Sequence, residues 1–538
     1  MFGHFPIRKL FYASSVLSFA LIEGIAVFNP GIRWAYCLTL PLIYVGFQDV
    51  LQTKQAIKRN FPLLGHGRYL LESIRPEINQ YFVESDTDGR PFNRNNRSNI
   101  YQRAKKALNT SPFGTKENVY EPGYSWINHS IHPAAILSQE PRIQVGGEHC
   151  LKPYMASLFN VSAMSYGSLS KNAVLALNTG AKIGGFAHNT GEGGLSPYHL
   201  EPGGDIIWQL GTGYFSARKP DGTFCPDAFA EKAAIENVKM IEVKLSQGAK
   251  PGHGGILPKS KITPEIAQIR GVGMDKDVLS PPGHSAFDSP IGLLNFVTEL
   301  RKLSGGKPVG FKLCVGNPHE FFAICKAMLE TGLLPDFITV DGGEGGTGAA
   351  PLEFSDNVGT PLYDGLFFVH NALNGCNLRE KIRVIASGKV SNGFHIAKTL
   401  ALGADMCNSA RGMMFALGCI QALQCHANTC PTGVATQNQD LMKGLVVEHK
   451  SARVAQYHKA TIKTFLEMLA AAGLSHPSEL RPWHIFQRIN SHESKTLAEL
   501  YDYLEPGALL DKAPPGRYLR AWREARPDSF SPSQLIIR

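Results

Sequence analysis

No two of the ten cysteines are spaced C-x-x-C, which argues against a zinc ribbon. Nor are they spread evenly through a small secreted domain, so a disulfide framework is not expected and a reducing compartment is the default. The 54 glycines follow no three-residue period, which removes a collagen-like fibre. They gather in short loops instead, as ligand-cradling turns do. A basic stripe interleaved with aromatics is missing, as is any nucleic-acid-binding signature. The formal net charge of +9 does not alter this: residues 1–110 hold 14 Lys/Arg against 7 Asp/Glu, so the excess belongs to the N-terminal end. Nucleic acid is therefore not expected as a partner. What is present is size: 538 residues, 43% of them hydrophobic, enough for a large core and either several domains or one extended α/β barrel.

Two apolar runs come first. Leu10–Phe28 contains one acid, Glu23, and Ile32–Leu51 is interrupted by Arg33, Pro41 and Asp49. Asn29-Pro30-Gly31 marks a turn between them. Each run approximately spans a bilayer core. Arg8 and Lys9 precede the pair, and Lys54, Lys58 and Arg59 follow it. The positive-inside rule then places both ends, and the body, on the cytoplasmic side of the inner (cytoplasmic) membrane. The alternative is a hydrophobic hairpin packed on protein, since Glu23, Arg33 and Pro41 weaken both spans. These considerations set a hairpin domain at 1–53 and a basic linker and extension packed on the next domain at 54–140. The segment from Lys54 to about Glu121, polar and rich in Arg and Asn, suits either a membrane surface carrying anionic lipids or a solvated extension wrapped around the next domain.

From Leu158 the pattern alternates. Strands are expected at Leu158–Ala163, Gly185–His188, Ile206–Gln209, Lys239–Lys244, Pro308–Leu313, Asp336–Val340, Ile382–Ala386 and Asp405–Asn408, with helices such as Lys171–Lys182, Asp227–Ile235, Pro318–Thr331 and Gly393–Leu402 between them. Eight strands in βα alternation predict an α/β fold, a (β/α)8 TIM barrel. A doubly wound sheet would carry one glycine-rich loop early; here such loops follow several strands. The barrel is set at 141–440 and a helical C-terminal extension at 441–538.

Cys419-x5-Cys425-x4-Cys430-Pro431 carries the most specific chemistry. Thiolates ligate iron–sulfur clusters, and a proline often follows the last one. Three cysteines without a nearby fourth suit three irons better than four, although the same residues also suit three buried structural thiols. Asn189–Gly194, Gln247–Gly255 and Asp341–Gly348 are glycine-rich and follow the second, fourth and sixth strands, which points to one shared pocket. Lys250, Arg270 and Lys312 supply cations for a dicarboxylate, a phosphate or a reduced flavin. Ser387-Gly388-Lys389 and Ser409-Ala410-Arg411-Gly412 close the last two strands, where this fold often builds a phosphate site.

Several runs occur in one order: Ala163-Met164-Ser165-Tyr166-Gly167-Ser168, Asn189–Gly194, Gln247–Gly252, Ile262–Ala267, Ser280-Pro281-Pro282, Gly345–Pro351 and Gly418–Gln437. Together they resemble the FMN-binding synthase domain of the glutamate synthase family over Pro141 to Asp440. The resemblance implies FMN and a 3Fe-4S cluster as cofactors. It also implies reductive conversion of 2-oxoglutarate to L-glutamate through 2-iminoglutarate. Matched motif to motif, it implies flavin contacts from Ala163, Met164, Ser165, Gln209, Lys312, Ser387, Gly388, Lys389, Ala410 and Arg411. The 2-oxo acid would meet Glu192, Gln247, Lys250 and Arg270, and Cys419, Cys425 and Cys430 would hold the cluster. The family's glutaminase half, its β-helix and any NAD(P)H module have no counterpart, and Met1-Phe2-Gly3 opens a hairpin where the family has a nucleophilic cysteine. The expected partners are therefore an ammonia source, with a separate amidotransferase subunit as one supplier, and an external electron donor, ferredoxin-like or another reductase. His253 stands where the family usually has glutamate, which leaves an N-methylglutamate-forming relative, or a redox protein without turnover, as alternatives.

Overall fold

A computed structural model describes residues 7–107, 110–511 and 514–533 of the chain. Met1-Phe2-Gly3, the expected opening of the hairpin, and the end of the C-terminal tail lie outside the described residues. The chain divides into two compact units, residues 1–89 and 90–538.

In the first unit the two apolar runs are helices, α1 (Ile7–Ala26) and α2 (Tyr36–Leu51), joined through a 3-10 turn, Pro30–Ala35. Asn29 accepts the Gly31 N–H at 3.1 Å and caps that turn, the role expected of Asn before Pro at a helix start. Gly46 on α2 leaves room for the Phe11 ring of α1, and Phe11 meets Phe47 edge-on at 5.4 Å. Outward-facing apolar side chains remain bare, with Phe28 at 91% and Trp34 at 80% exposure. Residues 7–26 and 30–51 are both long and apolar enough to cross a membrane, with mean hydropathies of 1.3 and 1.2. Glu23 pairs with Arg33 at 2.8 Å and accepts from Tyr36, so the charges that weaken the spans compensate each other. Beyond α2 come α3 (Ala56–Asn60), α4 (Leu64–Ser73), α5 (Arg75–Ile78) and a π turn, Asn79–Val83.

In the second unit α6 (Arg94–Ala104) precedes the barrel. Eight parallel strands close the barrel: β1 (Phe159–Val161), β2 (His188–Asn189), β3 (Ile206–Leu210), β4 (Val238–Lys244), β5 (Val309–Leu313), β6 (Phe337–Asp341), β7 (Arg383–Ser387) and β8 (Met406–Ser409). Closure is by β8 on β1, with Cys407 opposite Phe159, Asn408 opposite Asn160 and Ser409 opposite Val161. The strands are buried on both faces, which is why they read as continuous apolar runs and not as alternating ones. The second strand is shorter and later than its expected span: Gly185 takes the left-handed conformation (φ 62°) that ends the preceding helix, α7 (Lys171–Gly184), and so cannot begin the strand.

An antiparallel pair, Arg142–Val145 with Tyr154–Ser157, packs Val145, Tyr154 and Ala156 against Ile207, Met240, Phe337, Ile385 and Met406, an apolar cluster separate from the main core. The opposite ends of the strands carry the glycine-rich loops. A short helix, α8 (Pro264–Arg270), lies among them, capped by Thr263, whose Oγ1 accepts the Ile266 N–H at 3.2 Å. Helix α9 (Arg411–Leu417) follows β8 directly, and α10 (Val447–Ala471) packs across α7, α6 and α9.

Candidate active site

At the C-terminal mouth of the barrel lies a small cavity of about 70 Å³. Eight of the expected site residues line it: Ala163 after β1, Gln247 after β4, Lys312 on β5, Ser387, Gly388 and Lys389 at the end of β7, and Ala410 and Arg411 after β8. Gly345 and Gly346, after β6, form another wall. A β-carbon on Gly346 would stand 2.8 Å from Arg411 Nη1, so the guanidinium lies close against the bare backbone of this loop. Lys389 holds a left-handed conformation (φ 51°), which is uncommon for a residue with a side chain and turns the loop tightly over the cavity.

Lys312 lies 3.2 Å from Asp341 Oδ2. Burial alone would lower the lysine's pKa, but the Asp341 and Glu242 carboxylates outweigh it, and the ammonium is held above its ordinary value. Arg411 donates to the Glu344 carbonyl at 2.6 Å and lies over the Phe92 ring at 4.9 Å. Burial and then the neighbouring guanidinium lower the Lys389 ammonium, and burial lowers Arg411 in turn. Among the described residues neither cation forms an ion pair with a carboxylate. Two adjoining cations among glycine amides are a receptor for an anionic group. The Asn408 Oδ1, also at the cavity wall, is buried without a hydrogen-bond partner.

The other expected flavin contacts are placed differently. Met164 and Ser165 sit beneath the loop after β2, where a β-carbon on Gly191 would come within 2.9 Å of the Ser165 nitrogen. Gln209 turns into the barrel and donates to Glu242 at 2.6 Å. Asn189 and Thr339 also donate to that buried carboxylate, at 2.8 and 2.6 Å. Three donors offset the cost of burying the charge.

A second constellation adjoins the first through Gln247. Lys244, the last residue of β4, contacts Glu192 at 2.7 Å and donates to Gln247 Oε1 at 3.0 Å. Burial would raise the Glu192 carboxyl, but Lys244, Lys250 and Arg270 together hold it below its usual value, so it stays ionised. Lys250 is almost fully buried and donates to the Gly254 carbonyl at 2.6 Å. Burial pushes its ammonium down to about 8 despite Glu192. Arg270, the last residue of α8, donates from Nη2 to the Tyr166 carbonyl at 3.0 Å and lies 5.1 Å over the Phe215 ring. Burial takes it down to about 10, opposed by Glu192 alone, and its Nε has no hydrogen-bond partner. Three buried cations thus act on one carboxylate, an arrangement with unspent capacity for an anion. His253 packs on Phe354 at 5.6 Å and shares the Gly254 carbonyl with Lys250.

The three cysteines fall in the loop after α9, near enough that Cys425 and Cys430 act electrostatically on Cys419 and Cys430 on Cys425. Burial pushes the Cys419 thiol up to about 12 and raises Cys425 as well. At Cys430 burial is outweighed by hydrogen bonds from Thr432 and from the Ala435, Thr432 and Val434 backbone, so that thiol lies below its usual value. Lys261 anchors the loop, donating to the Ser168, Cys425 and Ala435 carbonyls at 3.2, 2.6 and 3.0 Å. Among the described residues no group of three His, Cys, Asp or Glu side chains is arranged to hold a metal ion. The loop after β6 links the two regions: Gly346 lines the cavity, and a β-carbon on Gly348 would lie 3.1 Å from Cys425 Cβ.

Sequence reasoning missed Lys244, Asp341, Phe92 and Lys261. For Lys244 a signal existed: a lysine closing an otherwise apolar strand, directly before a glycine loop, stands at the barrel mouth. Phe92 reaches the cavity from the extension, far away in the chain, and no spacing announces it.

A (β/α)8 barrel whose mouth gathers buried cations beside a thiol-bearing loop is the framework of an enzyme. Residues 128–475 match the conserved region in glutamate synthase. The glutamate synthase large subunit-like protein YerD of Bacillus subtilis is 39% identical over 495 residues, covering 84% of this chain and 94% of that protein. The archaeal NADPH glutamate synthase of Methanocaldococcus jannaschii is 36% identical over 323 residues, 60% of each chain. Among solved structures, a flavocytochrome b2 double mutant with pyruvate bound overlaps at a TM-score of 0.42 with 15% identity, covering 77% of this chain and 91% of that one, too loosely to add to the assignment. The chain belongs to the glutamate synthase family and is a glutamate synthase-type oxidoreductase.

Proposed function

We propose that the barrel binds FMN in the mouth cavity and reductively aminates 2-oxoglutarate to L-glutamate at the adjoining cations. The observation that carries this is that three buried cations, Lys244, Lys250 and Arg270, act on the single carboxylate of Glu192, with the Arg270 Nε unpartnered. A dicarboxylate supplies the anionic groups these cations lack. Their burial keeps water from competing for them, and Glu192, held ionised by Lys244, keeps Lys250 and Arg270 oriented.

The cavity suits FMN on its own residues. Lys389 and Arg411 would take the phosphate, Asn408 offers a buried acceptor, and Lys312 would face the ring. When bound, the flavin supplies the hydride. Lys312, kept as an ammonium by Asp341, would offset negative charge on the reduced ring. Cys419, Cys425 and Cys430 would hold a 3Fe-4S cluster. The donor set supports this reading, with three thiols in one loop, one of them depressed, and the Lys261 ammonium beside Cys425 and Cys430. Electrons would come from an external donor and nitrogen from ammonia or a separate amidotransferase subunit. Met1–Leu51 would anchor the enzyme in the inner membrane with the body in the cytoplasm.

Anaerobic chemical reduction of the purified protein, followed by 2-oxoglutarate and ammonium, tests the reaction. Reoxidation of flavin absorbance together with new glutamate is expected. Reoxidation with methylammonium but not ammonium would replace the product with N-methylglutamate, and no reoxidation with either would sink the catalytic reading. Removal of Met1–Leu51 should release the protein from membranes; a full-length protein soluble without detergent would make the hairpin a packing element.

A further inference from the structure

The stretch after the hairpin reads in sequence as a polar linker, yet its part from Leu64 to Val83 is helical almost throughout. From Leu64 to Val83 the helices α4 and α5 and the π turn run into one another. The bonds Ile74 N–H to Leu70 O, Ile78 N–H to Ile74 O and Glu84 N–H to Asn79 O carry the helix through its joints. Projected at helical periodicity, Leu70, Leu71, Ile74, Ile78, Tyr81 and Phe82 fall within about 120° of one another. All six are exposed, Leu70 and Leu71 at 62% and Phe82 at 85%. Every residue from Leu71 to Asn79 is exposed, so no neighbouring helix of the first unit covers the stripe. Arg68 and Arg75 border it on one side and Glu77 on the other, while Glu72 falls well outside it.

We propose that Leu64–Val83 lies in the plane of an anionic bilayer, with the apolar stripe at the headgroup–acyl boundary. The reading rests on the membrane assignment of the hairpin. Two observations favour a lipid surface over protein. The run begins twelve residues of chain beyond α2, whose own outward apolar side chains are bare. Lys54, Lys58 and Arg59 in the connection, with Arg68 and Arg75 beside the stripe, give a cluster of cations that matches anionic headgroups. The run is about 30 Å long, but Arg68, Glu72, Arg75, Pro76 and Glu77 make it too polar to span, and a one-sided apolar face fits an in-plane position.

The test uses full-length protein in phosphatidylcholine nanodiscs, with and without phosphatidylserine. Phe82→Trp adds an indole on the stripe, read as difference emission against the parent protein. With phosphatidylserine present, the added emission should shift to the blue and be quenched at least about threefold more by lipids brominated near the headgroup than by aqueous iodide. Arg68→Glu with Arg75→Glu should abolish the phosphatidylserine dependence. An indole reached by iodide alone, or by neither quencher because a protein surface covers it, overturns the proposal. Flotation of the same protein with vesicles separates the two readings. Flotation with an iodide-accessible indole refutes the in-plane run and leaves the hairpin standing, whereas failure to float refutes both.

Discussion

Arg270→Lys isolates the guanidinium from its charge. The arginine fixes itself with Nη2 on the Tyr166 carbonyl and its plane over Phe215, which leaves Nε and the remaining Nη for a carboxylate. A lysine keeps the charge but forfeits the fork. Losing one charge-assisted contact at a buried site costs about 2–4 kcal/mol, so kcat/KM for 2-oxoglutarate should fall roughly 30- to 1000-fold. Substrate binding, not the chemical step, carries the loss, so KM should rise while kcat changes little. The assay is the anaerobic reoxidation of reduced flavin at varied 2-oxoglutarate. Lys250→Met and a monocarboxylic 2-oxo acid complete the comparison. If the two cations take one carboxylate each, the monocarboxylate must be sensitive to one substitution and indifferent to the other. Unchanged kcat/KM for 2-oxoglutarate in both variants would refute the substrate site.

Four further outcomes are expected. Burial sets the Lys250 ammonium at about 8, so the protonated form that grips a carboxylate predominates below that pH; kcat/KM should fall as pH rises through about 8, and Lys250→Arg should move that limb to higher pH. Arg411→Ala removes a cation from the proposed phosphate site and should weaken FMN retention at least about tenfold, measured by flavin release on dilution. Cys425→Ser should abolish the cluster's visible absorbance and paramagnetic signal, and unchanged iron content would overturn the ligand assignment. Gly180 packs α7 on α10 so closely that a β-carbon would stand 2.7 Å from Val454 Cβ and 2.8 Å from the Ser451 carbonyl; Gly180→Ala should cost about 1–3 kcal/mol, seen as a lowered Tm without change in flavin content.

The barrel was readable because the strands are apolar runs, several of them closed by glycine-rich turns, and those turns mark the mouth whatever the strand order. Residues close in sequence to such a turn, among them Lys250, Lys312, Lys389 and Arg411, could be assigned to the site from position alone. The Glu192–Lys244–Gln247 bridge depends on a contact between loops after different strands, and the convergence of Lys261 on the cysteine loop depends on barrel closure. Neither leaves a local trace. The stripe from Leu70 to Phe82 was hidden for another reason: Arg, Glu and Pro interleave it, so average polarity masked an apolar face that only helical periodicity separates out.

The cysteine loop is walled by parts of the chain synthesised far apart. Tyr101 on α6 donates to the Cys419 carbonyl at 2.6 Å, and Arg103 donates to Thr461 of α10 at 3.4 Å. The cysteine loop thus rests on α6, and α6 in turn on α10. A nascent or truncated chain ending at the barrel would leave α6, and through it the cysteine loop, without the support of α10.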